Sequence, residues 1–217
     1  MKILIYDCEI IKAIRDPKKV DLAHIEYCNG WDDYANMGIS VIGVNIIDIG
    51  LDRVFTHNIN TDLQNFQIGL DETDVLVGFN NQSFDDKLLK ANGFIIPDTI
   101  TNYDLLAEIW EGAGLGRTFI YPTHAGFGLD AICKANGLGE KSGDGANAAI
   151  LWQKGKHQEV IDYCENDIRL TRKLFDLIQE TGEIRDPRED NFYFKKYNPD
   201  FEFKPIKVRK LSELINA

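Results

Sequence analysis

Cysteine is scarce and scattered. The four copies (Cys8, Cys28, Cys133 and Cys164) form no CxxC pair. That argues against a disulfide frame or a zinc site, and for reduced, buried thiols in a cytoplasmic protein. The four histidines (His24, His57, His124 and His157) lack any metal-ligand spacing. No apolar run approaches the roughly 20 residues that cross a bilayer. No early stretch joins a basic start, an apolar run and a small-residue cleavage site, so neither a membrane nor secretion is expected. The glycine-rich stretches Gly112–Gly116 and Ser142–Gly145 lack the GxxxxGK[ST] phosphate loop, so ATP hydrolysis is not expected. Internal repeats and low-complexity tracts are also missing.

Positive charge is in short supply: 24 Lys+Arg face 35 Asp+Glu, a net charge of −11. The deficit is uneven. From Ile184 on, eight basic residues outnumber six acidic ones, which leaves −13 on residues 1–183. Phosphate binding favours Lys and Arg. An acidic body still accepts a phosphodiester when some carboxylates hold divalent cations, because the ions reverse the local field. Simple solubility explains the same balance, so charge alone does not choose.

The chain has 217 residues, 44% of them hydrophobic, enough for one domain with a real core. Lys2–Tyr6 reads as a buried strand. A polar connection of about 27 residues follows, from Ile11 to Met37, with Trp31-Asp32-Asp33-Tyr34 inside it. Ile39–Ile49, with a glycine at its middle, and Arg53–His57 continue as strands. Thr61–Leu70 is helical, with Thr61 or Asp62 as cap. Asp74–Phe79 is a strand, and Phe84–Asn92 a helix stopped by Gly93. Ile100–Leu106 is a strand or strand-to-helix junction, Gly112–Gly128 a loop, Leu129–Asn136 a helix, and His157–Glu180 the longest helix. Strands followed by alternating helix and strand predict an α/β sheet covered by helices. Residues 1–183 are taken as the main domain and 184–217 as an extension. The extension interleaves aromatics with bases (Phe192, Tyr193, Phe194, Lys195, Lys196, Tyr197). It suits either an arm packed over the core or stacking on single-stranded bases.

Three groups of acidic residues carry the chemistry. Asp7 and Glu9 are two apart at the predicted end of the first strand, hence on one face, and repel each other unless a cation intervenes. In Gly78-Phe79-Asn80-Asn81-Gln82-Ser83-Phe84-Asp85-Asp86 a strand gives way to a helix. Asp85 and Asp86 there can simply answer the helix dipole, but Asp85 would also sit at the sheet's carboxyl edge, where open α/β sheets bind ligands. Tyr163 and Asp167 are four apart in the long helix, near the apolar stripe of Val160, Cys164, Leu170 and Leu174. A buried Asp is costly unless paired or bound to metal.

In order, Asp7-x-Glu9, Asn80-x3-Phe84-Asp85 and Tyr163-x3-Asp167 resemble the three motifs of the DEDD superfamily of 3′–5′ exonucleases. The Gly-Phe-Asn…Phe-Asp phrase is most similar to the proofreading domains of family B DNA polymerases. The resemblance runs from about Met1 to Ile178. It is supported by Tyr103-Asp104-Leu105-Leu106 and by Leu129-Asp130-Ala131-Ile132 leading into Tyr163-Cys164. It implies a ribonuclease H-like fold with a mixed five-stranded sheet flanked by helices. It further implies hydrolysis of single-stranded DNA or RNA from the 3′ end to nucleoside 5′-monophosphates. The position five before the last Asp is Asp162 rather than His, and the position four before it is Tyr163, so the chain resembles the Tyr subtype (DEDDy). Ile10 stands where the family often has Thr near the substrate's 3′ end.

On that resemblance, Asp7, Glu9, Asp85 and Asp167 hold two divalent ions, Mg²⁺ or Mn²⁺. Asp7 bridges, Glu9 and Asp167 complete the water-activating site, and Asp85 holds the second ion. Tyr163 orients the attacking water. Asn80, Phe84, Ile10 and Lys141 are candidates for substrate binding, and Arg117 is a further candidate for a phosphate. Two rivals stand beside this reading. One is the same fold holding single strands without cutting. The other is a phosphotransferase using Asp7 as nucleophile, which would want an Asp where Glu9 stands. DNA is favoured weakly over RNA because of the polymerase-like second motif; the contacts that sense a 2′-hydroxyl are not identifiable. A polymerase or helicase partner would be a separate chain.

Overall fold

Alternation along the first strand divides the molecule into layers. The computed structural model describes residues 1–16, 18, 20–56 and 60–216, except the side chains of 52 and 60–63. His57, expected to close the third strand, lies outside what is described, as do the side chains of the expected caps Thr61 and Asp62. In chain order the elements are β1 (Ile3–Ile10), β2 (Ala13–Ile14), β3 (Tyr27–Cys28), α1 (Tyr34–Met37), β4 (Ile39–Ile46), β5 (Leu51–Thr56) and α2 (Asn60–Asp71). Then come β6 (Val75–Gly78), α3 (Asp85–Ala91), β7 (Thr101–Asp104), α4 (Leu105–Gly112), α5 (Leu129–Ala135), α6 (Gly145–Gln153) and α7 (His157–Thr181). The tail holds β8 (Glu183–Ile184), α8 (Phe192–Tyr197), β9 (Ile206–Lys207) and α9 (Leu211–Ile215).

Five strands form a mixed sheet in the order β5-β4-β1-β6-β7. β1 pairs antiparallel with β4 and parallel with β6. β4 pairs antiparallel with β5, and β6 parallel with β7. Ile3 and Ile5 of β1 pack with Leu105 and Ile109 of α4, Ile132 of α5, and Ile168, Leu174 and Ile178 of α7. Leu4, Tyr6, Cys8 and Ile10 face the other way, against Phe66 and Leu70 of α2 and Leu88 and Leu89 of α3. Each such aliphatic side chain, fully buried, stabilises the fold by about 1.5–3 kcal/mol. The same alternation puts Asp7 and Glu9 on the Ile3–Ile5 face, under α7.

The 25 residues of α7 repeat buried positions at three- and four-residue spacing: Val160, Cys164, Ile168, Thr171, Phe175 and Ile178. The helix stops where Gly182 takes a left-handed φ of 72°, its N–H donating to the Ile178 carbonyl. Gly43, opposite Asp7 in β4, lets the helix come close to the sheet. A Cβ there would lie 2.8 Å from Cys164 Sγ and 3.0 Å from Ile168 Cγ1.

Several local expectations change. β1 runs on to Ile10, so Asp7 and Glu9 lie within the strand rather than at its end, because pairing with β4 continues through both. Ile47–Ile49 is a 3-10 turn, not strand. The polar connection carries β2, β3 and α1. α6 follows directly on the glycine-rich segment, burying Ala148, Ala149 and Trp152. The 183/184 boundary falls inside β8, which pairs with β9, and Ile184, Ile206, Val208 and Leu211 are buried in the same cluster as α7. The four cysteines are free and buried. Among the described residues, no helix is long and apolar enough to cross a membrane.

Candidate metal centre

The pairing of β1 with β6 ends at Ile5 and Val77, while β1 continues beside β4 alone. Asp7 and Glu9 therefore stand on the margin left open at the carboxyl end of the parallel strands. The chain leaves β6 at Gly78 and turns through Asn80, whose φ is 66°. Asp104 holds that turn. Its carboxylate accepts from the backbone N–H groups of Asn80 (2.9 Å) and Gln82 (3.1 Å), and caps α4 by accepting from those of Leu106 (3.0 Å) and Ala107 (3.3 Å). Burial raises the pKa of Asp104, opposed by those four hydrogen bonds.

The turn delivers Asp85 and Asp86 as the first residues of α3, and they part company. Asp85 Oδ1 accepts from the backbone N–H of Cys8, 3.1 Å away, between Asp7 and Glu9. Asp86 accepts from Asn102 Nδ2 (2.6 Å), Asn81 Nδ2 (3.3 Å) and, in a short bond, the Tyr6 hydroxyl. Asp86 thus ties the turn to the opposite layer, and only Asp85 joins the acidic group.

α7 supplies the remaining carboxylate. Asp167 is 3% exposed. Its Oδ2 meets Lys141 Nζ at 2.5 Å, whereas its buried Oδ1 accepts no hydrogen bond. Lys141 Nζ also donates to the Tyr163 hydroxyl, 2.9 Å away. Ligand atoms of Asp7, Glu9 and Cys164 all lie within 4.8 Å of one another. The Cys164 thiol donates to the Asp7 carbonyl and to Asp7 Oδ2, both at 3.8 Å.

The electrostatics are those of crowded like charges. Burial, then the Asp167 carboxylate, push Asp7 up from 3.8 to about 7. Glu9 is raised by burial and then by Asp7 and Asp167, and Asp85 by burial and then by Asp7. Asp167 is raised by burial, with Lys141 opposing. For Lys141, burial is outweighed by Asp167 and Tyr163, which hold the ammonium charged. Burial raises Tyr163 above its ordinary value, so its hydroxyl keeps its proton near neutral pH. Lys141 opposes the rise of Asp7, Glu9 and Asp167. The carboxylates offer hard oxygen, the type that Mg²⁺ and Mn²⁺ prefer, beside the single Cys164 thiol, and Asp167 Oδ1 lacks a partner. Divalent cations fit these residues.

The other sequence candidates divide. Asn80 acts through its backbone, as the left-handed residue of the turn. Phe84, half-buried, immediately precedes Asp85 and packs against Trp31 and Tyr34. Ile10 is buried in the α2–α3 core and offers little surface to a ligand. Arg117 is taken up by Glu108 and Glu111, at 2.6 and 2.7 Å. Three site residues went unassigned in the sequence: Gly43, which admits α7; Asp104, which holds the turn; and Cys164, which faces Asp7. A signal for Cys164 was present, since it adjoins Tyr163 on the apolar stripe.

No family model matches the chain, and no curated protein matches it. Among solved structures the chain is similar to the family B DNA polymerase from the hyperthermophilic archaeon Pyrobaculum calidifontis. The TM-score is 0.56 at 17% identity, over 82% of this chain and 24% of that one. A weaker likeness, TM-score 0.43 at 14% identity over 90% of this chain and 42% of the other, is to a zinc-bound complex of E. coli ExoI with single-stranded DNA. The second is too weak to bear on fold or function. The chain spans about a quarter of the polymerase it matches. At this identity the likeness speaks to architecture, and the α/β sheet with flanking helices is of the ribonuclease H-like kind.

Proposed function

We propose that this chain is a divalent-metal-dependent exonuclease that shortens single-stranded nucleic acid, DNA in preference to RNA, from its 3′ end. The products would be nucleoside 5′-monophosphates. One observation supports this above the others. Ligand atoms of Asp7 and Glu9 lie within 4.8 Å of each other and of Cys164 Sγ. The charge of Asp167 on α7 opposes the ionisation of both, and that of Asp85 at the start of α3 opposes the ionisation of Glu9.

In this reading Asp7, Glu9, Asp85 and Asp167 would hold two divalent ions. When bound, they would supply an activated water and charge stabilisation for the attacking and leaving oxygens of a phosphodiester. The chain's own residues do the rest. Tyr163, protonated at neutral pH, is a hydrogen-bond donor or acceptor that orients the attacking water and is not a general base. Lys141 keeps Asp167 ionised and sets a positive charge beside the Tyr163 hydroxyl, where it can meet a phosphate oxygen. Asp104 and Asn80 fix the turn that aims Asp85. Single-stranded 3′ ends would be supplied by a polymerase or helicase in the cytoplasm.

The test uses 5′- and 3′-labelled DNA and RNA strands with Mn²⁺. The 5′-labelled strand should shorten one nucleotide at a time, and the 3′-labelled strand should release a labelled mononucleotide at once. Asp167→Ala should abolish both. Full metal-dependent cleavage by purified Asp167→Ala protein would refute the assignment. Tight strand binding with no cleavage by the unaltered chain would favour a silent binding module.

A further inference from the structure

Trp31 is the one tryptophan left open to solvent. It is 67% exposed, against 4% for Trp110 and 6% for Trp152. A large exposed indole forgoes the stabilisation that burial gives, yet this one is held firmly. The Asp33 carboxylate accepts from the Asn29 N–H (2.8 Å) and Asn36 Nδ2 (2.6 Å), which closes the turn around it. The Tyr34 hydroxyl donates to the Ser83 carbonyl (3.1 Å), and Asn92 Nδ2 donates to the Tyr34 carbonyl (3.1 Å). These bonds fasten the loop to both ends of α3.

Trp31 meets Phe84 edge-on, with ring centroids 6.2 Å apart and planes at 69°. Tyr34 buttresses the same Phe84 ring at 5.9 Å. Phe84 immediately precedes Asp85, and the loop that carries Trp31 leaves the sheet at the end of β1 and returns through Met37, whose carbonyl accepts from the Ile11 and Lys12 N–H groups. Through Phe84 the indole is linked to the start of α3, one residue before Asp85. Two rigid rings behind it mean that little side-chain freedom is lost on contact. Asp32 adjoins it and turns phosphate away, so the partner of the indole is a base face. Lys87 Nζ, 5.9 Å from the Tyr34 ring centre, supplies a cation for the neighbouring backbone. Aromatic faces with cations alongside are how single strands are gripped without regard to sequence.

We propose that Trp31, braced by Phe84 and Tyr34, is the stacking platform for a base of the bound strand. The proposal rests on the nuclease reading above and adds the residue that sets the grip on the strand. Its test is intrinsic tryptophan fluorescence during titration with an oligothymidylate in Ca²⁺, alongside anisotropy of the same labelled oligonucleotide and of an abasic strand of equal length. Fluorescence should be quenched along the anisotropy curve, and Trp31→Phe should lose the quenching while binding within a few-fold of the original. Trp31→Ala should weaken binding roughly 5- to 150-fold, the worth of one base–aromatic stack. The abasic strand should bind without quenching. Binding by anisotropy with no quenching, or unchanged binding by Trp31→Ala, overturns the role of Trp31 and leaves the nuclease reading standing. If no strand binds at all, both fall.

Discussion

Replacing Asp7 by Asn removes a charge from the most crowded part of the molecule, and the metal-free protein should become more stable for it. Burial and Asp167 hold Asp7 at about 7 instead of 3.8. That difference, at 1.36 kcal/mol per unit, is about 4 kcal/mol. Partial solvent access and titration shared with the neighbouring carboxylates reduce it to about 2–4 kcal/mol. The folded-state pKa is raised, so the penalty is absent below the unfolded value of 3.8, grows as pH rises, and is complete above about 7. In EDTA at pH 8, Asp7→Asn should therefore melt about 4–16 °C above the original chain, at roughly 2–4 °C per kcal/mol for a protein of this size. At pH 4 the two should melt together. Added Mn²⁺ should raise the original chain by mass action and the Asn variant much less. Calorimetry at both pH values, with and without metal, reads all of this. An Asn variant less stable than the original at pH 8 in EDTA would mean that Asp7 is not held against its own charge.

Gly43→Ala would set a methyl 2.8 Å from Cys164 Sγ and 3.0 Å from Ile168 Cγ1. It should cost about 1–3 kcal/mol in urea denaturation, and cleavage should fall as α7 is pushed off the sheet. Asp104→Ala leaves four backbone N–H groups without their acceptor. It should lower stability by about 2–4 kcal/mol, a cap plus further unmet donors, read from the same denaturation curves. Tyr163→Phe keeps the ring but loses the hydroxyl bonded to Lys141. Single-turnover cleavage should drop about tenfold to a hundredfold, the scale of a misplaced reactant, with metal-dependent melting unchanged.

Much of the site was legible because its parts obey local periodicities. Ile3, Ile5, Asp7 and Glu9 follow from strand alternation, and Tyr163, Asp167 and the apolar stripe from helical spacing. What was not legible depends on contacts between distant segments. The apolar run KILIY looks like a strand ending before Asp7, whereas the antiparallel partner β4 carries β1 on to Ile10. Asp104 stands within a quoted phrase, but its work of joining a turn more than twenty residues upstream to a helix cap shows only in three dimensions. Lys141, a substrate-binding candidate from its glycine-rich stretch, pairs with Asp167 only through folding, which brings together positions far apart in the chain. α6 begins on glycine and is rich in alanine, so it presents no polar-apolar alternation to betray it. In the aromatic-basic tail, Arg188 lies against Phe127, Phe194 and Phe201, while Phe192, Tyr193 and Tyr197 stay exposed.

Anomalous diffraction from crystals grown with Mn²⁺ addresses the carboxylates themselves. Two peaks are predicted among Asp7, Glu9, Asp85 and Asp167, with Lys141 drawn off Asp167 Oδ2 and with both peaks lost in Asp7→Asn. A map with no manganese between these side chains, or with manganese bound only elsewhere on the acidic surface, would contradict the account.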